Sequence, residues 1–219
     1  MSKVRKPPDV AATHELVRID ERALKQALAA LQHGPIRFRR NDVIACEGDA
    51  ADYVFLVASG VVRSCKTFDN GGRNVVAFYL SGDLFGFGDQ KCALSIEACT
   101  DAMVLFIKRA GLMSLAAQEN HVARFLLATA TNELRRAQDH AILMSQNAKR
   151  RVIGFLTDWS MRLGETRQIS LPMPYQDIAD HLGLTIETVS RTLTKLERSG
   201  AIARSSRPRS LILRNRTNA

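Results

Sequence analysis

Apolar positions recur with three different rhythms along this chain, and each rhythm predicts a different kind of structure. In ELVRIDERALKQALAALQHG, ahead of Gly34-Pro35, apolar residues fall three and four apart, which predicts a helix stopped by that dipeptide. From Ile36 to about Lys108 the runs shorten to VIACEGD, YVFLVASG, VVRSCKTFDNGG, VVAFYLSGD, LFGFGD and MVLFIK. Turn residues at Gly48, Gly60, Gly71-Gly72, Gly82 and Gly86 recur about every 10–12 residues, the rhythm of an antiparallel barrel or sandwich. The DNGG between two of these runs predicts a hairpin.

From about Gln118 to Ser145 no Gly or Pro interrupts the chain, and the rhythm becomes helical. One seam reads Ala123, Leu127, Ala130, Leu134, Ala137, Ala141, Met144, in steps alternating between four and three. Arg124, Glu133, Arg135, Arg136 and Asp139 fall off it. A helix packed onto its own domain would explain apolar residues there. A narrow, small-residue-rich seam flanked by charge predicts instead a two-stranded coil between two copies of the chain.

After SQNAKRR the apolar pattern restarts. VIGFLTDWSMRLG predicts a helix ending at Gly164, and ISLPMPYQDIADHLGL an extended segment, then a short helix from about Tyr175 to Gly183. TIETVSRTLTKLERSGA predicts another helix, and AIARSSRPRSLILR two short strands around a basic turn. Helix, tight turn and helix make a helix-turn-helix. Ile178, Ala179 and Leu182 form one apolar face, Val189, Leu193 and Leu196 the face opposite, and Thr185 is a natural N-cap.

The first turns of that last helix project Ile186, Glu187, Ser190 and Arg191 outward. A carboxylate at Glu187 can accept from a cytosine amino group, Arg191 can donate to guanine, and Ser190 can touch a neighbouring base. A Glu/Arg pair four residues apart is also an ordinary intrahelical salt bridge, worth only about 0.2–0.5 kcal/mol. The preceding helix, the cap and the basic continuation through Lys195 and Arg198 favour DNA reading. Thr185, Gln176, Lys195, Arg207 and Arg209 are the expected phosphate contacts, the last two on the RSSRPRS turn.

Charge sharpens this picture. The 219 residues carry a net charge of +9. Residues 147–219 hold 13 Lys and Arg against six acids, whereas residues 1–146 hold 18 against 16. The surplus gathers at one end, which suggests a polyanion-binding end, although a basic tail is also common in proteins that are merely soluble. Hydrophobic content of 46% is globular, no apolar run is long enough to span a membrane, and MSKVRKPPDV has no apolar stretch behind it. A cytoplasmic protein is expected. Cys46, Cys65, Cys92 and Cys99 form no CxxC pair and have no His at zinc-finger distance, so no metal site is expected. No nucleophile–base pair or phosphate loop suggests an enzyme.

With these motifs in place, the chain resembles the CRP/FNR superfamily of bacterial transcription regulators along nearly its whole length. IADHLGLTIETVSRTLTKLERSGAI is similar to the FNR and FixK branch, whose recognition helix carries E-x-x-S-R, here Glu187, Ser190 and Arg191. QDHAILMSQNAKRRVIGFL is similar to the same branch. The resemblance implies an α+β fold: a tail over 1–13, an antiparallel β-roll like a cyclic-nucleotide-binding domain over 14–112, a dimerisation helix over 113–146 and a winged helix-turn-helix over 147–219. It implies a homodimer on TTGA-N6-TCAA-type palindromes that activates low-oxygen or nitrogen-related genes and recruits RNA polymerase.

The sensor half departs from two other branches. Where the cyclic-AMP branch holds phosphate with Gly-Glu-Leu and an arginine, this chain has Phe87, Gly88 and Cys92, so cyclic nucleotide is not expected. No Cys occurs in the first 45 residues, so the iron–sulfur site of the oxygen-sensing FNR proteins is missing. That leaves a FixK-like regulator without cofactor, controlled largely through its own expression. Alternatives are a heme- or nitric-oxide-responsive relative using His14, His33, His121 or His140, or a thiol switch among Cys65, Cys92 and Cys99. From another class, a cyclic-nucleotide-binding regulatory subunit would leave the helix-turn-helix without a role.

Overall fold

Eight short strands precede the first described helix: β1 (Gln32–Phe38), β2 (Val43–Ala45), β3 (Tyr53–Ser59), β4 (Val61–Thr67), β5 (Arg73–Leu80), β6 (Leu84–Phe85), β7 (Ser95–Ala98) and β8 (Ala102–Lys108). This is a computed structural model, and it describes residues 32–88, 90–164, 168–205 and 209–213. The strands form two antiparallel sheets, in the orders β1-β8-β3-β6 and β2-β7-β4-β5. Phe55, Val57, Phe85 and Val104 of one sheet are buried with Val62, Tyr79, Ile96 and Ala98 of the other, so the pair closes into a roll. Its interior is filled by rings, with Tyr79 stacked on Phe85 at 3.9 Å and Phe55 edge-on to Phe106 at 5.1 Å. At the DNGG hairpin the Phe68 amide donates to Gly72 O at 2.8 Å.

Where the helix is expected to run on to Gly34-Pro35, β1 has begun at Gln32. Gln32 already pairs with Ile107 and His33 with Phe106, and the register then shifts before Ile36. Pro35 sits in that shift because it has no N–H to give the ladder. The expected tail and the rest of that helix lie outside the described residues.

The chain leaves the roll through α1 (Arg109–Gln118), turns at an extended Glu119 and enters α2 (Asn120–Met144). Leu112 of α1 and Val122 of α2 are buried with Val54, Leu84 and Ile107, which fixes the base of α2 on the roll. At 25 residues α2 is about 37 Å long. On its other side, among the described residues, Leu127, Leu134 and Ile142 are 69%, 60% and 65% exposed.

The last domain comprises α3 (Ala148–Arg162), β9 (Gln168–Ser170), α4 (Tyr175–Leu182), α5 (Ile186–Arg198), β10 (Ile202–Arg204) and β11 (Ser210–Leu213). β11 lies between β10 and β9, so the extended segment before α4 supplies a third strand to the small sheet. Asn147 caps α3, accepting from the Arg150 amide, and Trp159 Nε1 donates to Ser170 O at 2.8 Å. Gly154 lets the two helices at this elbow close up, because a Cβ there would lie 2.5 Å from Leu143 Cδ1 of α2.

The helix-turn-helix domain also packs against the roll. Val61, Val75, Phe78 and Leu80 share one buried cluster with Phe155, Trp159, Ile178 and Leu182. Phe78 lies against His181 at 5.3 Å, His181 stacks on His140 of α2 at 4.3 Å, and its Nδ1 donates to Val75 O at 2.9 Å. Arg162 closes one edge, donating to Phe78 O and to the Asp83 carboxylate at 2.7 and 2.8 Å.

This junction sets a pH dependence. Burial, then the neighbouring His140, pushes His181 down to about 4, and burial also lowers His140. The unfolded chain therefore takes up protons first. Stability is complete above about pH 6.5 and is lost as pH falls from there towards 4. Thermal unfolding at pH 7 and 5 should differ by about 2 kcal/mol from His181. His181→Gln should remove most of that difference, and an equal difference in the variant would refute the assignment.

Candidate nucleic-acid interface

The sequence of α4 and α5 explains how a small polar surface comes to face solvent. Ile178, Ala179 and Leu182 are buried against Val189, Leu193 and Leu196. Gly183 takes a left-handed conformation (φ 59°) that ends α4 and turns the chain within two residues. Thr185 then caps α5, its Oγ1 accepting from the Thr188 amide at 3.3 Å. Helical spacing places what is left of the first turns outside: Ile186, Glu187, Ser190 and Arg191 are exposed and together line one shallow, open concavity.

Their bonds run mainly to the backbone at the start of the helix. Arg191 Nε donates to the main-chain carbonyl of Glu187 at 3.3 Å. The Glu187 carboxylate accepts from its own amide and from Thr185, which, with the Arg191 charge, holds it below its ordinary value. Glu187 thus serves the start of the helix, while the guanidinium stays on the outer surface. An ionised acid and an arginine one turn apart present an acceptor and a donor fork to whatever occupies the concavity.

The expected phosphate contacts are less uniform. Thr185 and Lys195 are exposed on the ends of α5. Gln176 is exposed at the start of α4 but already donates to Asp180 at 2.6 Å. Arg209 follows the wing turn with a positive φ of 53° and donates to Pro172 O at 3.4 Å. Arg207 lies outside the described residues. On α2, Leu127, Ala130, Leu134, Ala137 and Ala141 form an exposed stripe. Ala123 and Met144 at its ends are half-buried, and Met144 packs on the core of the last domain. Ile142 flanks the stripe and escaped the heptad count because it sits one place off the seam.

In the roll, the loop where a cyclic phosphate would be held is tied by a cation. The guanidinium of Arg109 donates to Ala51 O at 2.6 Å, to Gly86 O at 2.7 Å and to Gly88 O. The four cysteines are free thiols. Burial pushes Cys65 up to about 11 and Cys99 to about 12, and it also raises Cys92. Such thiols stay protonated at neutral pH and react slowly with oxidants. His121 and His140 lie on one helix, 19 residues and about 28 Å apart, and His33 lies in β1, while His14 is outside the described residues. Among the described residues no group of three or more His, Cys, Asp or Glu could hold a metal ion. No described helix is long and apolar enough to cross a membrane.

Comparison with known proteins follows the same division. Residues 35–119 match the cyclic nucleotide-binding domain family and residues 150–218 the Crp-like helix-turn-helix domain family. The nitrogen fixation regulation protein FixK of Azorhizobium caulinodans is 40% identical over 92% of this chain and 84% of its own length. The protein of that name from Rhizobium meliloti is 41% identical over 73% of this chain and 74% of its own. The structure of FixK2 from Bradyrhizobium japonicum superimposes with a TM-score of 0.78 at 40% identity, covering 83% of this chain and 92% of that one. These relatives are named regulators, not enzymes.

Proposed function

The chain belongs to the CRP/FNR family of transcription regulators, in its FixK-like branch, and on that premise we propose that it binds TTGA-N6-TCAA-type palindromes as a homodimer. The carrying observation is the exposed set Ile186, Glu187, Ser190 and Arg191 at the start of a capped second helix. Arg191 and Glu187 take the G·C pair of each half-site, and Ser190 and Ile186 touch neighbouring bases, Ile186 by apolar contact with a thymine methyl. Thr185, Gln176, Lys195, Arg207 and Arg209 hold the phosphates on either side. The stripe from Ala123 to Met144 joins two copies so that two recognition helices meet successive turns of one DNA face. The dimer acts in the cytoplasm, recruits RNA polymerase and activates low-oxygen or nitrogen-related genes.

The roll works without a cofactor in this reading. Arg109, the cation at the phosphate loop, is already spent on three carbonyls, and Phe87 and Gly88 supply no charge for a cyclic phosphate. The raised thiols speak against a fast redox switch. Selection from a random DNA pool tests the DNA reading. TTGA-type palindromes should be enriched, and enrichment of an unrelated sequence, or of none, would overturn it. A visible absorption band in the purified protein would overturn the cofactor-free roll.

A further inference from the structure

The helix-turn-helix carries more charge at its back than DNA contact needs. Asp177 of α4 points away from α5 and is 1% exposed. Its Oδ2 accepts from Arg63 Nη1 of β4 and lies 3.6 Å from the Cys99 thiol, while its Oδ1 accepts from Arg73 Nη2 of β5 at 2.5 Å. Arg73 Nε also reaches Asp180 at 2.9 Å, and Arg63 is braced from behind by Glu97 at 2.6 Å. At the far end of α4 a third arginine does similar work. Arg151 donates to Leu182 O at 3.0 Å, where α4 ends, and to Met144 O and Gln146 O at 2.6 and 2.8 Å, where α2 ends.

We propose that Asp177 and Arg151 are positioning residues for DNA recognition: one anchors α4 to the roll, the other to the foot of α2. Because α5 packs on α4 through buried side chains across a two-residue turn, an anchored α4 aims the recognition helix. The inference rests on the DNA-binding reading above.

The chemistry suits an aiming device better than a stabilising one. A buried ion pair adds little stability over an apolar pair of the same volume, since both charges must be stripped of water. A guanidinium fork, however, bonds a carboxylate or a set of carbonyls in few orientations, so it fixes angle where greasy contacts allow sliding. Two of the three carbonyls that Arg151 holds, Met144 O and Leu182 O, are the last acceptors of their helices and carry the negative end of the helix dipole, and the third, Gln146 O, lies in the connection between α2 and α3. One side chain thus links the helix that would define the dimer axis to the helix on which the recognition helix packs.

Aim is read by a dimer as tolerance to half-site separation. The test titrates the full-length chain and the variants Asp177→Asn, Arg151→Met and Arg73→Gln against TTGA-N6-TCAA and against palindromes one base pair shorter or longer. The unaltered chain should prefer its own spacing on the order of 10- to 100-fold. In the variants that preference should shrink at least tenfold, with the same dimer mass and the same binding to random duplex. A purely structural role would lower affinity for all three palindromes together and leave the preference intact, and that result overturns the proposal. Should Asp177→Asn fail to fold, Arg73→Gln carries the test, because the Arg73 side chain is 27% exposed. If the unaltered chain does not separate a TTGA palindrome from random duplex, it is the recognition reading that falls.

Discussion

Arg191→Ala is expected to weaken binding to a TTGA-type palindrome by on the order of 30- to 10,000-fold. A bidentate arginine–guanine contact discriminates by about 1–3 kcal/mol, and a symmetric dimer loses it twice. Arg191 is exposed and bonded only to a main-chain oxygen at 3.3 Å among the described contacts, so its removal leaves the fold untouched. The salt-sensitive, sequence-blind part of binding, with a Kd of about 10⁻⁴–10⁻⁶ M, should remain. Titration against the palindrome and against one with its G·C pairs replaced checks both statements. Unchanged affinity, or an equal loss on both duplexes, would sink the role given to this side chain.

The second large effect is that Leu134→Asp should leave a folded monomer. Leu134 is 60% exposed in the single chain, so aspartate there is well solvated until a second copy approaches. In a two-stranded coil the residue meets its own copy, and two carboxylates must then be stripped of water beside each other. Light scattering should give one chain's mass, with unchanged far-UV dichroism. Affinity for the full palindrome should fall on the order of 10²- to 10⁴-fold, because the second half-site no longer binds as part of the same molecule. A variant still dimeric would refute the stripe as the interface. Arg135→Ala, off the stripe, should change neither quantity.

Both exposed surfaces were legible in the sequence because each is presented by one helix through its own periodicity. A glycine at the turn, a threonine cap and apolar residues at fixed steps suffice to place Glu187, Ser190 and Arg191 on one face. The anchors behind them were not legible. Arg63 and Asp177 are 114 residues apart, and no local rhythm shows that two opposite charges will be buried together. Asp177 and His181 lie one turn apart on the face of α4 that meets β5, and nothing in their spacing marks two polar residues as buried. The start of the long helix near Gln118 was legible, but the separate helix α1 before it, set on the roll by Leu112, was not. The early start of β1 depends on a ladder with Ile107 and Phe106, far along the chain.

The elbow at Gly154 has a mechanical meaning. Alanine there would add about 1 kcal/mol of helix propensity to α3, but its methyl would meet Leu143. The missing methyl is the space that Leu143 occupies. Filling it would force the two helices to pivot or Leu143 to move, and a pivot grows with distance. Over an arm as long as α5, about 20 Å, a turn of about 10° displaces the tip by about 3.5 Å, close to one base step. The angle between α2 and the helix-turn-helix domain is therefore sensitive to how the Leu143 side chain packs over Gly154.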